Sequence, residues 1–428
     1  MGCKPAARWR VESILGASGR SRQRTLAMRG TAVVPWAVRP NCEAGPIVLP
    51  HPLPAWAGMT TVVDLARLAY GETAPNPLVA ACVVRDQEIV SAGVHRRAGE
   101  AHAEPQAIAG LPPNVTVDSA AGLVLYVNLE PCSHQGRTPP CVEAILASPI
   151  RRVVAAMRDP DPRVAGRGIG QLRAAGVQVT VGPGARAAAE LNHLFIGRQL
   201  RRRPFVALKV ALDAQGAVAH ADGRPAAITG DAARAHAHWL RAGHDAILVG
   251  VETLRLDRPR LDRRLYPGPG CAPQRLVIDP QLRALPEFLW PGEEPRPVLF
   301  CTPAALAASG ARWDRVAELV ALPEGPAGLD LAALPAALEQ LGITSVLVEG
   351  GGITHTRFLA AGLWDRLYEY RAANVRLGGL AWSAAGAWAD AARGLAAHAI
   401  ATLGADTLTV WAHRASLPTD EQLGIESA

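Results

Sequence analysis

The chain has 428 residues, 49% apolar and 19% charged, which is length enough for two or three domains that each bury a core. No apolar run approaches the roughly 18–20 residues that cross a bilayer, and the start lacks the apolar centre of a secretory signal. A soluble, cytoplasmic protein with no membrane partner is therefore expected. Seven cysteines scattered over this length are an odd number, which argues against a disulfide framework and for reduced thiols or metal ligation.

The net charge of +6 is local. Residues 1–58 hold eight Lys and Arg (Lys4, Arg8, Arg10, Arg20, Arg22, Arg24, Arg29, Arg39) against Glu12 and Glu43, so the rest of the chain sums to zero. A neutral body without a basic stripe is a poor footprint for nucleic acid, and a small substrate is expected instead. The same 58 residues are rich in Arg, Pro, Gly and Ala without helical or strand periodicity. They read as a disordered or non-native extension, and an Arg-rich, acid-poor start also fits a transit peptide.

Met59 opens a patterned segment that runs to about residue 200. The periodicities predict a helix over 62–70, strands over 79–84 and 89–94, a helix from His102 and a strand over 123–128. A helix from Cys141, a strand over 153–156, a helix near 169–174 and a strand over 177–181 follow. Arg198 to Pro204 reads as a charged joint. Beyond it, from 204 to about 420, a second alternation starts with the strand FVALKVAL, with further strands at 246–249, 275–278, 298–301, 316–320 and 345–348. Ala-rich helices at 231–241, 303–308, 330–341 and 353–362 lie between them, and two successive α/β domains are expected.

The chemistry concentrates between residues 102 and 141. His102-Ala103-Glu104 at a helix start and Glu130-Pro131-Cys132 after a strand, with Cys141 beyond, supply one imidazole and two thiolates. Three protein ligands leave the fourth tetrahedral position open for water, which separates catalytic from structural zinc. The order His-x-Glu then Pro-Cys is the deaminase signature, although eight residues here separate the cysteines where two are usual. Zinc lowers the pKa of its water from about 15.7 toward about 7, on the order of 10 kcal/mol at the nucleophile. Glu104, two residues from a ligand, is free to take the proton and deliver it to the ring nitrogen and the departing ammonia.

These residues extend into a recognisable pattern: Pro75-Asn76-Pro77, His95 through Glu100, Glu130 through Cys141, Asp159-Pro160 and Val164 through Gly168. The chain closely resembles the bifunctional riboflavin-biosynthesis family, a pyrimidine deaminase fused to a reductase, from about residue 62 to 415. The resemblance implies a cytidine-deaminase-like three-layer domain followed by a dihydrofolate-reductase-like one. It implies hydrolytic deamination, at ring carbon 2, of a diaminopyrimidinone carrying a ribosylamino 5'-phosphate. NADPH then reduces the ribosyl group to ribityl. Asn76 and His95 match positions in the deaminase pocket.

In the second domain the strand bearing Lys209, the stretch Ala246 to Leu261, and Val348 to Gly352 are similar to the family's reductase. That match implies that Thr253, Asp257, Ala211, Ala227, Gly351 and Gly352 contact NADPH, and that Lys209, Arg241, Leu261, Arg264 and Glu349 hold the substrate. Independently, Gly350 to Gly352 end a buried strand and open a helix, whose amides can cradle a dinucleotide phosphate. Two departures stand out. Asp213-Ala214-Gln215-Gly216 replaces the usual Ser/Thr-Leu-Asp-Gly, and Pro225-Ala226-Ala227 replaces Ser-x-Trp. They set up an alternative, a deaminase whose C-terminal domain has become a dimerisation scaffold. A homo-oligomer is implied in either case.

Overall fold

A computed structural model describes Leu49 and residues 53–116, 121–161, 164–268, 270–293, 295–313, 315–326, 328–393, 395 and 397–425. Most of the extension expected over 1–58 lies outside the described residues.

Two sheets organise the chain. The first has five strands in the order Glu88–Val94, Ala80–Arg85, Val124–Val127, Arg152–Ala155, Gln178–Val181. Ala80–Arg85 is antiparallel to both neighbours, and the last three strands are parallel. Its sequence AACVVR sends alternate residues to opposite faces. Ala80, Cys82 and Val84 pack with Met59, Val62, Val63 and Ala66 of the Met59–Ala66 helix, while Ala81 and Val83 pack with Ala103, Ala107, Val142 and Ile145. A strand apolar on both faces needs helices on both, and the three-layer unit follows.

The second sheet has nine strands in the order Glu318–Ala321, Val298–Cys301, Gln274–Ile278, Ala246–Gly250, Ser345–Val348, Phe205–Leu212, Arg366–Arg371, Asp406–Ala412, Ala399–Leu403. The first seven are parallel and the last two antiparallel. Phe205–Leu212 again divides its side chains, Val206, Leu208 and Val210 to one core and Phe205 and Ala207 to the other.

The expected elements are present within a few residues of their ends. The strand expected over 316–320 runs from Glu318 to Ala321, and the helix expected over 353–362 runs from Gly352 to Ala360. The charged joint is different: Arg198 and Arg201 form the last turn of the His193–Arg201 helix. Arg201 and Arg203 then reach the fully buried Asp365, at 3.5 and 2.7 Å, and Asp365 also accepts from Ser416 Oγ and the Val206 amide. The joint is thus a docking contact in which Arg201 and Arg203 share the buried Asp365 of the second domain. No element was expected after residue 362, yet three strands of the large sheet lie there. The chain also returns to the first domain at its end, where Leu423 of the Asp420–Leu423 helix joins the core around Met59 and its carbonyl accepts from the Arg158 amide.

Candidate active sites

In the first domain, close packing of strand on helix presents the ligands. Gly93 faces the Ala103–Ala109 helix so closely that a Cβ there would lie 2.3 Å from the Ala103 carbonyl oxygen. His102 precedes that helix as its N-cap, and Cys141 is the first residue of the Cys141–Ala147 helix, so two helix N-termini converge on one point. His102 Nδ1 lies 3.2 Å from Cys141 Sγ and 3.5 Å from Cys132 Sγ, and all three donor atoms fall within 4.8 Å of one another. Bonds of about 2.0–2.3 Å in a tetrahedron put neighbouring ligand atoms roughly 3.6 Å apart, so this donor set fits zinc without rearrangement.

The electrostatics suit a metal as well. The Cys141 thiol donating to Cys132 holds the latter down to about 4, while the same shared proton, with burial, raises Cys141. Glu104 Oε2 lies 3.3 Å from Cys141 Sγ, and burial followed by the Cys132 thiolate pushes its carboxyl up to about 7. Glu104 is 3% exposed, so its carboxyl meets the ligand cluster and little water. His95 is buried beside His102 with ring centroids 5.1 Å apart, and desolvation lowers its pKa. Its Nδ1 pairs with the Ala101 carbonyl at 3.2 Å, which leaves Nε2 to accept from Asn76 Nδ2 at 2.9 Å. The pair gives the pocket a fixed amide edge next to the metal site.

One positioning element was not read from the sequence. Glu130 accepts the amides of Gly166 at 2.8 Å and of Asp159 and Ile169 at 3.2 Å each, and so ties the loop carrying Cys132 to the start of the Arg167–Ala174 helix. Gly168 fits beneath it, since a Cβ there would lie 2.0 Å from the Pro131 carbonyl oxygen. The motif residues Glu130-Pro131 and Val164 to Gly168 are thus two sides of one contact.

In the second domain a cavity of about 980 Å³ opens at the carboxyl ends of the parallel strands. Lys209, Ala211, Ala227, Thr253, Asp257, Arg264, Gly351 and Gly352, proposed from the sequence, all line it. So do Arg241 and Glu349, which pair through two hydrogen bonds of 2.5 and 2.8 Å. Arg241 holds the Glu349 carboxyl down at about 2 against a burial effect that alone would raise it. Leu261 lies outside the lining: its side chain is buried in a core cluster, and its φ of 47° turns the backbone there. The glycine run packs tightly, for a Cβ on Gly352 would lie 1.9 Å from Ser383 Oγ and one on Gly350 2.8 Å from Thr253 Cγ2. The Gly352–Ala360 helix therefore begins at the cavity wall, where Gly350 through Thr354 join Arg234, Arg283 and Arg357 in the lining.

Asp213, the first of the departures noted above, is a turn anchor. Its fully buried carboxylate accepts the amides of Gln215, Ala217 and Leu377 at 2.7–2.8 Å and closes the turn between Phe205–Leu212 and Ala217–Ala219. The second departure, Ala226 and Ala227, leaves that wall of the cavity lined by small side chains.

Comparison with known proteins finds a family match in each domain. Residues 56–157 match the cytidine and deoxycytidylate deaminase zinc-binding region, and residues 204–381 match the RibD C-terminal domain. The riboflavin biosynthesis protein RibD of Bacillus amyloliquefaciens is 40% identical over 318 residues, 73% of this chain and 82% of the relative. RibD of Escherichia coli strain K12 is 37% identical over 323 residues, 73% and 86% of the two chains. The solved diaminohydroxyphosphoribosylaminopyrimidine deaminase/5-amino-6-(5-phosphoribosylamino)uracil reductase of Thermotoga maritima is 30% identical with a TM-score of 0.69, covering 83% of this chain and 97% of its own. RibD of Acinetobacter baumannii, in one crystal form, gives 29% identity and a TM-score of 0.68 with the same coverage. Two domains, each with its own site, and these likenesses along both make the chain a member of the RibD family of riboflavin biosynthesis proteins.

Proposed function

We propose that this chain deaminates 2,5-diamino-6-(5-phosphoribosylamino)pyrimidin-4(3H)-one and then reduces the product to 5-amino-6-(5-phosphoribitylamino)uracil. The observation that carries it is the joint presence of the His102, Cys132 and Cys141 cluster with Glu104 against it and a second cavity suited to a dinucleotide. The cofactors are zinc and NADPH. A zinc ion held by the three ligands supplies the Lewis acidity that makes water nucleophilic near neutral pH. With zinc bound, Glu104, buried 3.3 Å from Cys141 Sγ, would take the proton from the activated water and return it to the ring nitrogen and the leaving ammonia. Asn76 and His95 hold the pyrimidine edge.

NADPH supplies reducing equivalents to the ribosyl carbon 1 in the second cavity. Thr253, Asp257, Ala211, Ala227, Gly351 and Gly352 hold the cofactor, and Lys209, Arg241, Arg264 and Glu349 orient the phosphorylated sugar. Leu261 contributes through the backbone turn it shapes beside Arg241's partner Asp262. The deaminase half spans 59–200 and the reductase half 204–420, a division supported by Phe205 entering the second sheet.

A homo-oligomer in the cytoplasm completes the reading. Cys82, Cys132, Cys141, Cys271 and Cys301 are all free, which suits a reducing compartment, and among the described residues no helix is long and apolar enough to cross a membrane. Zinc removal tests the division of labour. A chelator should abolish deamination and leave NADPH-dependent reduction of the deaminated intermediate within about twofold, and loss of both together would contradict independent sites.

A further inference from the structure

His238 lies on the Asp231–Gly243 helix, one turn before Arg241, and lines the reductase cavity. It is 6% exposed. Its Nδ1 has no hydrogen bond and stands 4.0 Å from Asp262 Oδ1, which leaves Nε2 as the edge open to the cavity. Asp262 is itself held by Arg264 at 2.5 Å and Arg260 at 2.9 Å, and its backbone carbonyl accepts from Arg241 Nη1 at 2.7 Å. The carboxylate is therefore fixed relative to the Arg241–Glu349 pair. Burial, then Arg241 and Arg264, push His238 down to about 4, so the ring is neutral near pH 7, with one N–H and one lone pair.

The reduction has a step that hydride alone does not accomplish. In a ribosylamine, carbon 1 bears both the ring oxygen and the exocyclic nitrogen, and the product ribityl chain has a free hydroxyl where the ring oxygen was. The bond from carbon 1 to the ring oxygen must break while the nitrogen lone pair forms a carbon–nitrogen double bond. The nitrogen loses a proton and the oxygen gains one, so this isomerisation balances without a co-reactant. Hydride from NADPH then adds at carbon 1 and a proton at nitrogen. A group that accepts a proton and releases it a few ångströms away suits the isomerisation.

Three neighbouring groups have partners or charges of their own. Tyr370 hydroxyl pairs with His236 Nδ1 at 2.7 Å, the Glu349 carboxylate is taken by Arg241, and Lys209 sits 5.7 Å over the Tyr370 ring with Glu349 countering its charge. We propose that His238 is a catalytic residue of the reductase reaction that carries the proton from the exocyclic nitrogen to the ring oxygen as the ribosyl ring opens. The Asp262 carboxylate, 4.0 Å from the far nitrogen, offsets part of the repulsion that Arg241 and Arg264 exert on the protonated ring. The inference rests on the reading of the second cavity as the reductase site.

The test uses the full chain and its His238→Gln and His238→Asn variants, with NADPH and with NADPH deuterated at both C4 positions. Deamination and NADPH binding, followed by fluorescence, should stay within about twofold of the parent and show that the fold and cavity are intact. Reduction of the deaminated intermediate should slow by about 10²–10⁴-fold, the range for a lost acid–base group, with the deuterium effect at or near 1 because ring opening now limits. Reduction within about threefold of the parent overturns the proposal. So does a slowed reduction whose deuterium effect exceeds the parent's, since His238 then serves the hydride step. Failure of the unsubstituted chain to oxidise NADPH overturns the reductase reading and the proposal with it, and is seen without any variant.

Discussion

Tyr70 and Trp239 stack face to face, with ring centroids 4.5 Å apart and planes 7° from parallel. Tyr70 follows the first helix of the deaminase half, and Trp239 sits between His238 and Leu240 on the helix that carries Arg241 into the reductase cavity. Gly243 leaves room for the phenol, since a Cβ there would lie 2.0 Å from the Tyr70 hydroxyl oxygen. One aromatic contact thus joins the deaminase half to a wall of the reductase site. A double-mutant cycle of Tyr70→Leu and Trp239→Leu should return a coupling of about 0.5–1.5 kcal/mol in denaturant unfolding, the usual worth of an aromatic pair beyond its buried area. A coupling near zero would make the stack incidental to the docking of the halves.

Gly168→Ala probes the support of the metal loop. The added methyl meets the Pro131 carbonyl, and the loop held by Glu130 must shift, taking Cys132 with it. Displaced supports of metal ligands typically cost about 10–100-fold in affinity, so the zinc dissociation constant measured by competition with a chromogenic chelator should rise by about that factor. Unchanged zinc affinity would show that the loop position does not depend on this contact.

Acid should unfold the protein through its histidines. His193 is pushed down to about 3, and His236, His238 and His355 to about 4, in each case by burial first. An unfolded histidine takes up its proton near pH 6.5, whereas these native ones stay neutral, so the unfolded state binds more protons below that pH. Stability is therefore highest above pH 6.5 and falls as pH drops from 6.5 toward 4. Burial raises the Glu104 and Asp159 carboxyls to about 7, so these take up native-state protons over the same range and offset two of the four, which leaves a net slope on the order of 3 kcal/mol per pH unit. Urea midpoints measured from pH 7.5 to 5 check this, and a flat profile would mean that these rings are protonated in the native state.

The deaminase half was legible in the sequence because its ligands are tied to local signals. A histidine before an apolar helical run and a cysteine at the start of another place two ligands at helix N-termini, and the strand pattern sets the third. The support from Glu130 was hidden, since its partners are backbone amides of Asp159, Gly166 and Ile169, and backbone amides have no sequence signature. The reductase half was legible as alternating strands only as far as its parallel core. Arg366–Arg371 reads RLYEYR, a buried strand whose charged residues interrupt the apolar run, and Ala399–Leu403 reads AIATL, an edge strand whose alternate residues are exposed, so both blur the apolar signal. Asp213 was legible as a departure but not as a replacement anchor, because its role depends on Leu377, 164 positions away. His238 gave no signal, for two histidines in an Ala-rich helix do not say which of them meets the cavity.

On the proposed function, one chain holds two independent sites in series, with Glu104 serving only the first. The most direct measurement takes the parent and Glu104→Gln, determines zinc per chain, and assays deamination of the diaminopyrimidine and NADPH oxidation with the deaminated intermediate on the same preparations. Both proteins should hold about one zinc, and the substitution should cut deamination by about 10²–10⁴-fold while reduction stays at the parent's rate. Deamination that survives the substitution, or a parent that binds no zinc, would contradict the assignment.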